Sequence, residues 1–187
     1  GTKAPNRIGF SKYASYINTI TEQKYGRPLI LAMSADLSES TNISGFAKGY
    51  GGEDDKGFYE KTSNVESPLF PQGITEFTNA GMMAGASTVN FSTKPYESFS
   101  GYYGAVSTYG SFSYLKYGPL RLFSQLAQDS ELKVGKIIWV VGHSGPETAE
   151  DSRTHYGIFA PGVTQLFPNG SIINIHPWEH NEVAPSL

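Results

Sequence analysis

Three short runs of mostly apolar residues constrain the fold of this chain more than any other feature. They span residues 29–33, 104–109 and 136–142, and small or polar residues follow each of them. Such runs are typical of strands that are buried on both faces of a parallel sheet. Before the first run, residues 11–25 carry apolar and aromatic residues at helical spacing, and Gly26 then marks the end of that helix.

Helical segments are predicted between the strands, which sets the fold class. Residues 73–86 and 112–127 have helical composition, residues 171–176 predict a final strand, and a last helix is predicted to begin near Glu179. This alternation predicts a single three-layer α/β domain with a mostly parallel sheet covered by helices on both faces. Ligands of such sheets bind beyond the carboxyl ends of the strands, so functional residues are expected there.

Composition excludes several classes of function. The chain has 14 Lys and Arg against 17 Asp and Glu, so it lacks the positive field that nucleic-acid binding requires. It has no cysteine, which excludes disulfides and thiolate metal sites. No apolar run approaches the roughly 18 residues of a membrane span. A soluble, cytoplasmic protein is therefore predicted.

Short motifs follow one another along nearly the whole chain, several of them at the predicted carboxyl ends of strands. Residues 34–40 read SADLSES and residues 73–76 read GITE. Residues 109–115 read YGSFSYL and precede LRL at residues 120–122. The dipeptide HS at residues 143–144 precedes EDSRTH at residues 150–155, and NE stands at residues 181–182.

In this order the motifs resemble the central, pyrimidine-binding domain of transketolase, a thiamine diphosphate enzyme. The family patterns are S-A-D-L-T-x-S, G-[IV]-R-E-H, F-x-x-F-x-x-Y with L-R-L, T-H-D-S with G-E-D-G-P-T-H, and N-E. The chain departs from them at Phe77, where the family has His, at Leu115, where it has a third aromatic residue, and at residues 152–153, which replace Gly-Pro. The segment 87–100 does not align, and Arg7 and Lys12 are both candidates for the family's phosphate-binding arginine.

The resemblance implies that Glu76 is the principal catalytic residue. In the family the matching carboxylate bonds N1′ of the cofactor's aminopyrimidine and stabilises an imino tautomer, whose exocyclic nitrogen deprotonates the thiazolium carbon. That chemistry needs a carboxyl group shielded from water, because a desolvated acid can share a proton with a weak base. The sequence neighbours Ile74, Phe77, Met82 and Met83 suggest such a setting. The alternative is a first-turn glutamate favoured by the helix dipole.

The resemblance further implies a cofactor pocket lined by four other residues. Tyr109, Phe112 and Leu115 match the residues that enclose the pyrimidine ring, and Asp36 matches one that orders the pocket or the dimer interface around it. Stacking and apolar burial suit an aromatic heterocycle. Ordinary core packing, and a turn aspartate at position 36, are the alternatives left open by the residues themselves.

The remaining motif residues match contacts to a sugar phosphate substrate. These are Ser40, His143, Asp151 and His155, and His143 is also a candidate for proton transfer. Imidazole donates to phosphate or moves protons near neutral pH, and carboxylates orient hydroxyls. Solvated loop residues are the alternative.

Metal binding by this chain is not predicted. His176 and His180 have tolerable ligand spacing, but Pro177 disfavours one continuous helix between them. The chain also contains no Gly-Asp pair, whereas thiamine enzymes hold Mg²⁺ and the diphosphate through a G-D-G motif. The resemblance therefore implies that another domain or a partner subunit binds Mg²⁺ and the diphosphate, with a homodimer expected. The chain is interpreted as a fragment or split subunit of a larger enzyme.

The activity implied by the resemblance is transfer of a two-carbon ketol unit from a ketose phosphate to an aldose phosphate. Other thiamine classes remain alternatives, namely phosphoketolase, deoxyxylulose phosphate synthase and 2-oxoacid dehydrogenase. The departures at Phe77, Leu115 and residues 152–153 leave a further alternative, a noncatalytic assembly module with the same fold.

Overall fold

A parallel sheet forms the centre of the molecule. The computed structural model describes residues 3–51, 57–142 and 160–187. Within these residues four parallel strands lie in the order β2-β1-β3-β4, and they span Ile30–Ser34 (β1), Leu69–Phe70 (β2), Tyr103–Tyr109 (β3) and Ile137–Gly142 (β4). In this register Ser34 lies opposite Ser107, and Val106 lies opposite Trp139.

Helices cover both faces of the sheet. The α-helices span Asn6–Tyr25 (α1), Glu76–Thr88 (α2), Tyr117–Asp129 (α3), Ala160–Val163 (α4) and Val183–Ser186 (α5). Shorter 3₁₀ segments span Ile43–Ala47, Gly110–Lys116, Thr164–Leu166 and His180–Glu182. None of the helices in the described ranges is long and apolar enough to cross a membrane.

Side chains alternate between the two faces of the sheet along each strand, and this divides the core into two layers. Ile30 and Ala32 of β1 pack with Phe10 and Ala14 of α1, in a cluster that we call the α1 face. The intervening Met33 joins Met83 of α2 and Leu120 of α3 in a second cluster, the α2/α3 face. Because successive side chains of a strand point to opposite faces, both clusters use the same strands. The predicted three-layer α/β fold is confirmed.

The first helix begins earlier in the chain than predicted and ends as predicted. It begins at Asn6, directly after Pro5, which a helix start tolerates. At its end Gly26 has the left-handed φ of 69°, and its N–H donates to the carbonyl of Glu22 at 2.8 Å. Glycine adopts this conformation without steric cost, so it stops the helix.

The predicted helix over residues 112–127 is two elements. Residues Gly110–Lys116 form a 3₁₀ segment, and α3 begins only at Tyr117. Pro119 explains the break, because proline lacks an N–H and is accepted only in the first turn of an α-helix. A regular α-helix starting near Phe112 would have placed Pro119 in its interior.

The prediction of a final strand over residues 171–176 is wrong. Residues 172–177 form no regular structure and pair with no strand of the described sheet. Ile173 is 84% exposed and Ile175 is 39% exposed. These two isoleucines, whose apolar character suggested a buried strand, are therefore exposed to solvent. The predicted helix start near Glu179 is confirmed, because Glu179 and Glu182 form a capping box ahead of α5.

Candidate functional site

Glu76 lies at the start of α2 with its side chain turned into the protein. The residue is only 5% exposed, and its Oε1 accepts a hydrogen bond from Oγ1 of Thr108 at 2.9 Å. Thr108 stands near the carboxyl end of β3 and is fully buried. The carboxyl group is thus shielded from water and fixed to the sheet edge at which ligands of parallel folds bind.

The shielding of Glu76 does not come from the sequence neighbours that suggested it. Ile74 is 78% exposed, Phe77 is 63% exposed and Met82 is also exposed, whereas Met83 is buried. Residues next to each other on a helix point in different directions. The carboxyl group is instead held against the sheet by its bond from Thr108.

Asn79 lies one turn after Glu76 on the buried side of α2. Its Oδ1 accepts a hydrogen bond from Oγ1 of Thr75 at 3.1 Å. Its Nδ2 is buried and has no hydrogen-bond partner in the part of the chain that the structure describes. A buried amide donor without a partner is costly and is uncommon in native proteins.

The segment that carries the predicted ring-binding residues packs against α2. Tyr109 ends β3 and is half-buried, and Phe112 is half-buried in the following 3₁₀ segment. Leu115, near the end of that segment, is 38% exposed. The 3₁₀ segment of Phe112 and Leu115 packs against α2, the helix of Glu76. Tyr109 instead shares the strand side of Ala105, which packs on the α1 face, so its side chain is directed away from that of Thr108.

A comparison with family models matched this chain over residues 14–187 to the model described as "Transketolase, pyrimidine binding domain". The chain belongs to this family. It is the pyrimidine-binding domain of a thiamine diphosphate-dependent enzyme. The resemblance that the motifs predicted is confirmed. A comparison with curated proteins gave no match.

The residues of the pyrimidine-binding domain fit the aminopyrimidine of thiamine diphosphate. The carboxyl group of Glu76 is buried, as a group that shares a proton with a weak base must be. Only Oε1 of this group accepts a hydrogen bond in the described ranges, so Oε2 remains for a ligand. The half-buried aromatic side chain of Phe112, on the segment that packs against α2, adds an apolar surface suited to a flat heterocycle.

The segment after β1 carries Asp36 and Ser40. Asp36 is exposed and has a left-handed φ of 59°, which aspartate tolerates better than most residues. Ser40 is half-buried, and its Oγ donates to the carbonyl of Leu37 at 3.3 Å. The segment is tied to the sheet through Thr41, whose Oγ1 lies 2.9 Å from Oγ of Ser107. Asp36 is thus held at the carboxyl edge of the sheet, beside β3.

Three predicted substrate-binding residues lie outside the described residues. These are His143, Asp151 and His155. His143 follows β4 directly in the sequence, since that strand ends at Gly142.

Lys116 is a buried charged residue that the sequence interpretation missed. It is 1% exposed, and its Nζ donates to the carbonyl oxygens of Val106 and Val140, each at 3.1 Å. Burial lowers the pKa of Lys116 well below its usual value, and the carboxylate of Glu76 partly opposes this shift. A signal was present in the sequence. Position 116 lies four residues after Phe112 and four before Leu120, on the apolar side of the segment.

Proposed function

We propose that this domain is the pyrimidine-binding part of a transketolase-type enzyme, which transfers a two-carbon ketol unit from a ketose phosphate to an aldose phosphate. The observation that supports the proposal best is the buried carboxyl group of Glu76, held by Thr108 at the carboxyl edge of a parallel sheet. The SADLSES and EDSRTH motifs favour this class over other thiamine enzymes.

Glu76 has the central role in the proposed chemistry. Thiamine diphosphate supplies the thiazolium carbon that attacks the ketose once it has lost its proton. Glu76 would bond N1′ of the pyrimidine and share a proton with it, which would make the exocyclic nitrogen basic. Because the carboxyl group is shielded from water, it would share this proton with N1′ rather than with solvent.

The other predicted site residues have binding roles in this proposal. Tyr109, Phe112 and Leu115 line the pyrimidine, and Asp36 orders the pocket from the end of β1. Ser40, His143, Asp151 and His155 bind the sugar phosphate, with His143 also available for proton transfer.

A partner completes the proposed site, since no G-D-G motif stands in this chain. That partner is a diphosphate-binding domain or subunit that carries Mg²⁺, in a cytoplasmic homodimeric enzyme. The surface beside Glu76 supports this part of the proposal. Glu76 is the only charged residue between positions 67 and 93, and it is buried. The exposed side chains there include Ile74, Phe77 and Met82, which suit contact with another protein surface.

The test is Glu76→Gln in the complete enzyme. Gln keeps the volume and still accepts a bond from Thr108, but it cannot share a proton with N1′. We expect hydrogen–deuterium exchange at the thiazolium carbon, and ketol transfer with it, to slow by about a hundredfold to ten-thousandfold. Glu97→Gln is the matched control, because Glu97 is an exposed member of a surface ion pair.

The outcomes of this test separate the candidate functions. If Glu76→Gln exchanges as fast as the parent enzyme, Glu76 is not the activating acid and the proposal is wrong. Ketol transfer between sugar phosphates supports a transketolase, whereas release of an acyl phosphate or turnover of a 2-oxoacid indicates another thiamine class. His143→Ala should raise the KM for the sugar phosphate while leaving proton exchange at the thiazolium carbon unchanged.

A further inference from the structure

The turn that follows β1 has an uncommon backbone conformation. Within residues 35–42, which we call the β1 turn, Asp36 and Asn42 both have a left-handed φ of 59°. Residues other than glycine rarely adopt this conformation, and it persists where the surrounding contacts hold it in place. The β1 turn carries Asp36 and Ser40, two residues of the proposed site. The contacts that fix its shape therefore bear on binding.

Three buried hydroxyl groups join the β1 turn to the sheet. Oγ of Ser107, on β3, lies 2.7 Å from Oγ of Ser34 and 2.9 Å from Oγ1 of Thr41. Ser34 ends β1, Thr41 lies in the β1 turn, and all three residues are buried. The carbonyl of Ser107 also accepts from the amide of Ala35 at 3.3 Å. Ser107 is thus bonded to residues near both ends of the β1 turn.

This hydroxyl row ends at the carbonyl group of Leu37. The carbonyl oxygen accepts from the amide of Thr41 at 3.0 Å, from Oγ1 of Thr41 at 2.7 Å and from Oγ of Ser40 at 3.3 Å. A carbonyl oxygen has two lone pairs, and Thr41 alone supplies two donors. Ser40 can therefore turn its hydroxyl toward a ligand without leaving the carbonyl of Leu37 unpaired.

The carboxyl end of β3 supports two separate parts of the proposed site. Ser107 and Thr108 are neighbours on this strand, so their side chains point to opposite faces of the sheet. Thr108 donates to Glu76, whereas Ser107 bonds Thr41 of the β1 turn. A change at Ser107 should therefore reach the turn and leave the bond to Glu76 intact.

We propose that Thr41 and Ser107 are positioning residues for substrate binding, whose hydroxyl row fixes the β1 turn so that Oγ of Ser40 is free to donate to the phosphate group of the sugar phosphate. This inference rests on the proposed function, in which Ser40 binds that substrate. Without the row, the carbonyl of Leu37 retains the hydroxyl of Ser40, and the turn loses its side-chain bond to β3. Phosphate binding then weakens, whereas cofactor activation does not.

The test is Thr41→Val in the complete enzyme, because valine keeps the shape of threonine and removes the hydroxyl. Ser107→Ala is the second variant. Ser87→Ala is the matched control, since Ser87 is a buried serine bonded to the carbonyl of Lys136 at the opposite end of the sheet. We expect the KM for the ketose phosphate to rise about tenfold in the two variants, the effect of one hydrogen bond to a charged group. The kcat and exchange at the thiazolium carbon should stay unchanged in all three proteins.

Binding of inorganic phosphate gives a second readout that does not depend on turnover. Its dissociation constant, measured by phosphorus NMR, should rise by a similar factor in Thr41→Val and in Ser107→Ala, and stay constant in Ser87→Ala. The protein that carries both changes should bind phosphate no more weakly than the weaker single variant, because the two hydroxyls act through one row. Thr41→Ser keeps the hydroxyl and should bind phosphate as the parent does.

Ser40→Ala separates this inference from the proposed function. If Ser40→Ala weakens phosphate binding and neither Thr41→Val nor Ser107→Ala does, the hydroxyl row does not position the turn and the inference is wrong. Equal weakening in Ser87→Ala, slower thiazolium exchange, or failure of both variants to fold would show that the row serves the fold, and would also overturn it. If Ser40→Ala binds phosphate normally, the proposed role of Ser40 fails together with the inference.

Discussion

The two faces of the sheet bury polar groups in different ways. On the α1 face, Asn18 is fully buried and bonded through both polar atoms: its Nδ2 donates to the carbonyl of Ile30 at 2.9 Å, and its Oδ1 accepts from the amides of Leu29 and Ile30. On the α2/α3 face, Asn79 is also buried, but its Nδ2 has no partner in the described part of the chain. On one face the buried asparagine joins α1 to β1, whereas on the other its amide donor has no partner within the described residues.

The charged residues follow the same division. The α2/α3 face buries both Glu76 and Lys116, whereas no charged residue in the described ranges is buried on the α1 face. Natural proteins accept unfavourable burial mainly at functional sites. The difference agrees with the proposal that the α2/α3 face carries the site, whereas the α1 face serves stability.

The largest effect on folding is expected from a phenylalanine of the α1 face. Phe46 is fully buried and packs edge-on against Phe10 with ring centroids 5.0 Å apart. Phe46→Ala should lower the free energy of unfolding by about 4 kcal/mol, because it leaves a large cavity. Phe77→Ala, at an exposed phenylalanine of α2, should cost less than about 0.5 kcal/mol.

Urea unfolding of the two variants measures this contrast. Under the proposed function, Phe77→Ala should instead weaken association with the proposed diphosphate-binding partner, measured by sedimentation. Equal losses of stability in the two variants would contradict the division between the faces.

An intermediate effect is expected from the two buried asparagines. Asn18→Ala leaves one carbonyl and two amides without partners, so it should cost about 3 kcal/mol. Asn79→Ala removes one bond from Thr75 and an amide that is already unpaired, so it should cost about 1 kcal/mol or less. The two variants are compared by their urea denaturation midpoints, measured in the same buffer. If Asn79→Ala proves the more destabilising, its amide has a structural partner and the comparison is wrong.

The smallest effects on stability are expected at two neighbouring residues of β3 that point to opposite faces. Ser107→Ala removes bonds to Ser34 and Thr41, which keep other partners, and should cost about 1 kcal/mol. Thr108→Val should cost a similar amount, about 1 kcal/mol, but it also removes the donor that holds Glu76.

Proton exchange at the thiazolium carbon separates these two variants. It should slow in Thr108→Val and stay unchanged in Ser107→Ala. Slowing by the same factor in both would show that the faces are not independent.

Local patterns in the sequence were enough for much of the fold. The apolar runs predicted three of the four strands of the described sheet, and Gly26 predicted the end of α1. Local patterns failed where the secondary structure of a segment depends on residues far away in the sequence. Residues 171–176 have the composition of a strand, but a strand also needs a neighbour, and the described sheet provides none.

By itself the sequence determined the family and the candidate residue Glu76, because motifs are local and survive in their order along the chain. Only the tertiary structure decided the surroundings of that residue. Thr108 and Lys116 lie 32 and 40 positions after Glu76, and nothing in their sequence spacing marks them as its neighbours. Thr108 bonds Glu76, and the carboxylate opposes the lowering of the pKa of Lys116, because β3 and the segment after it pack against α2.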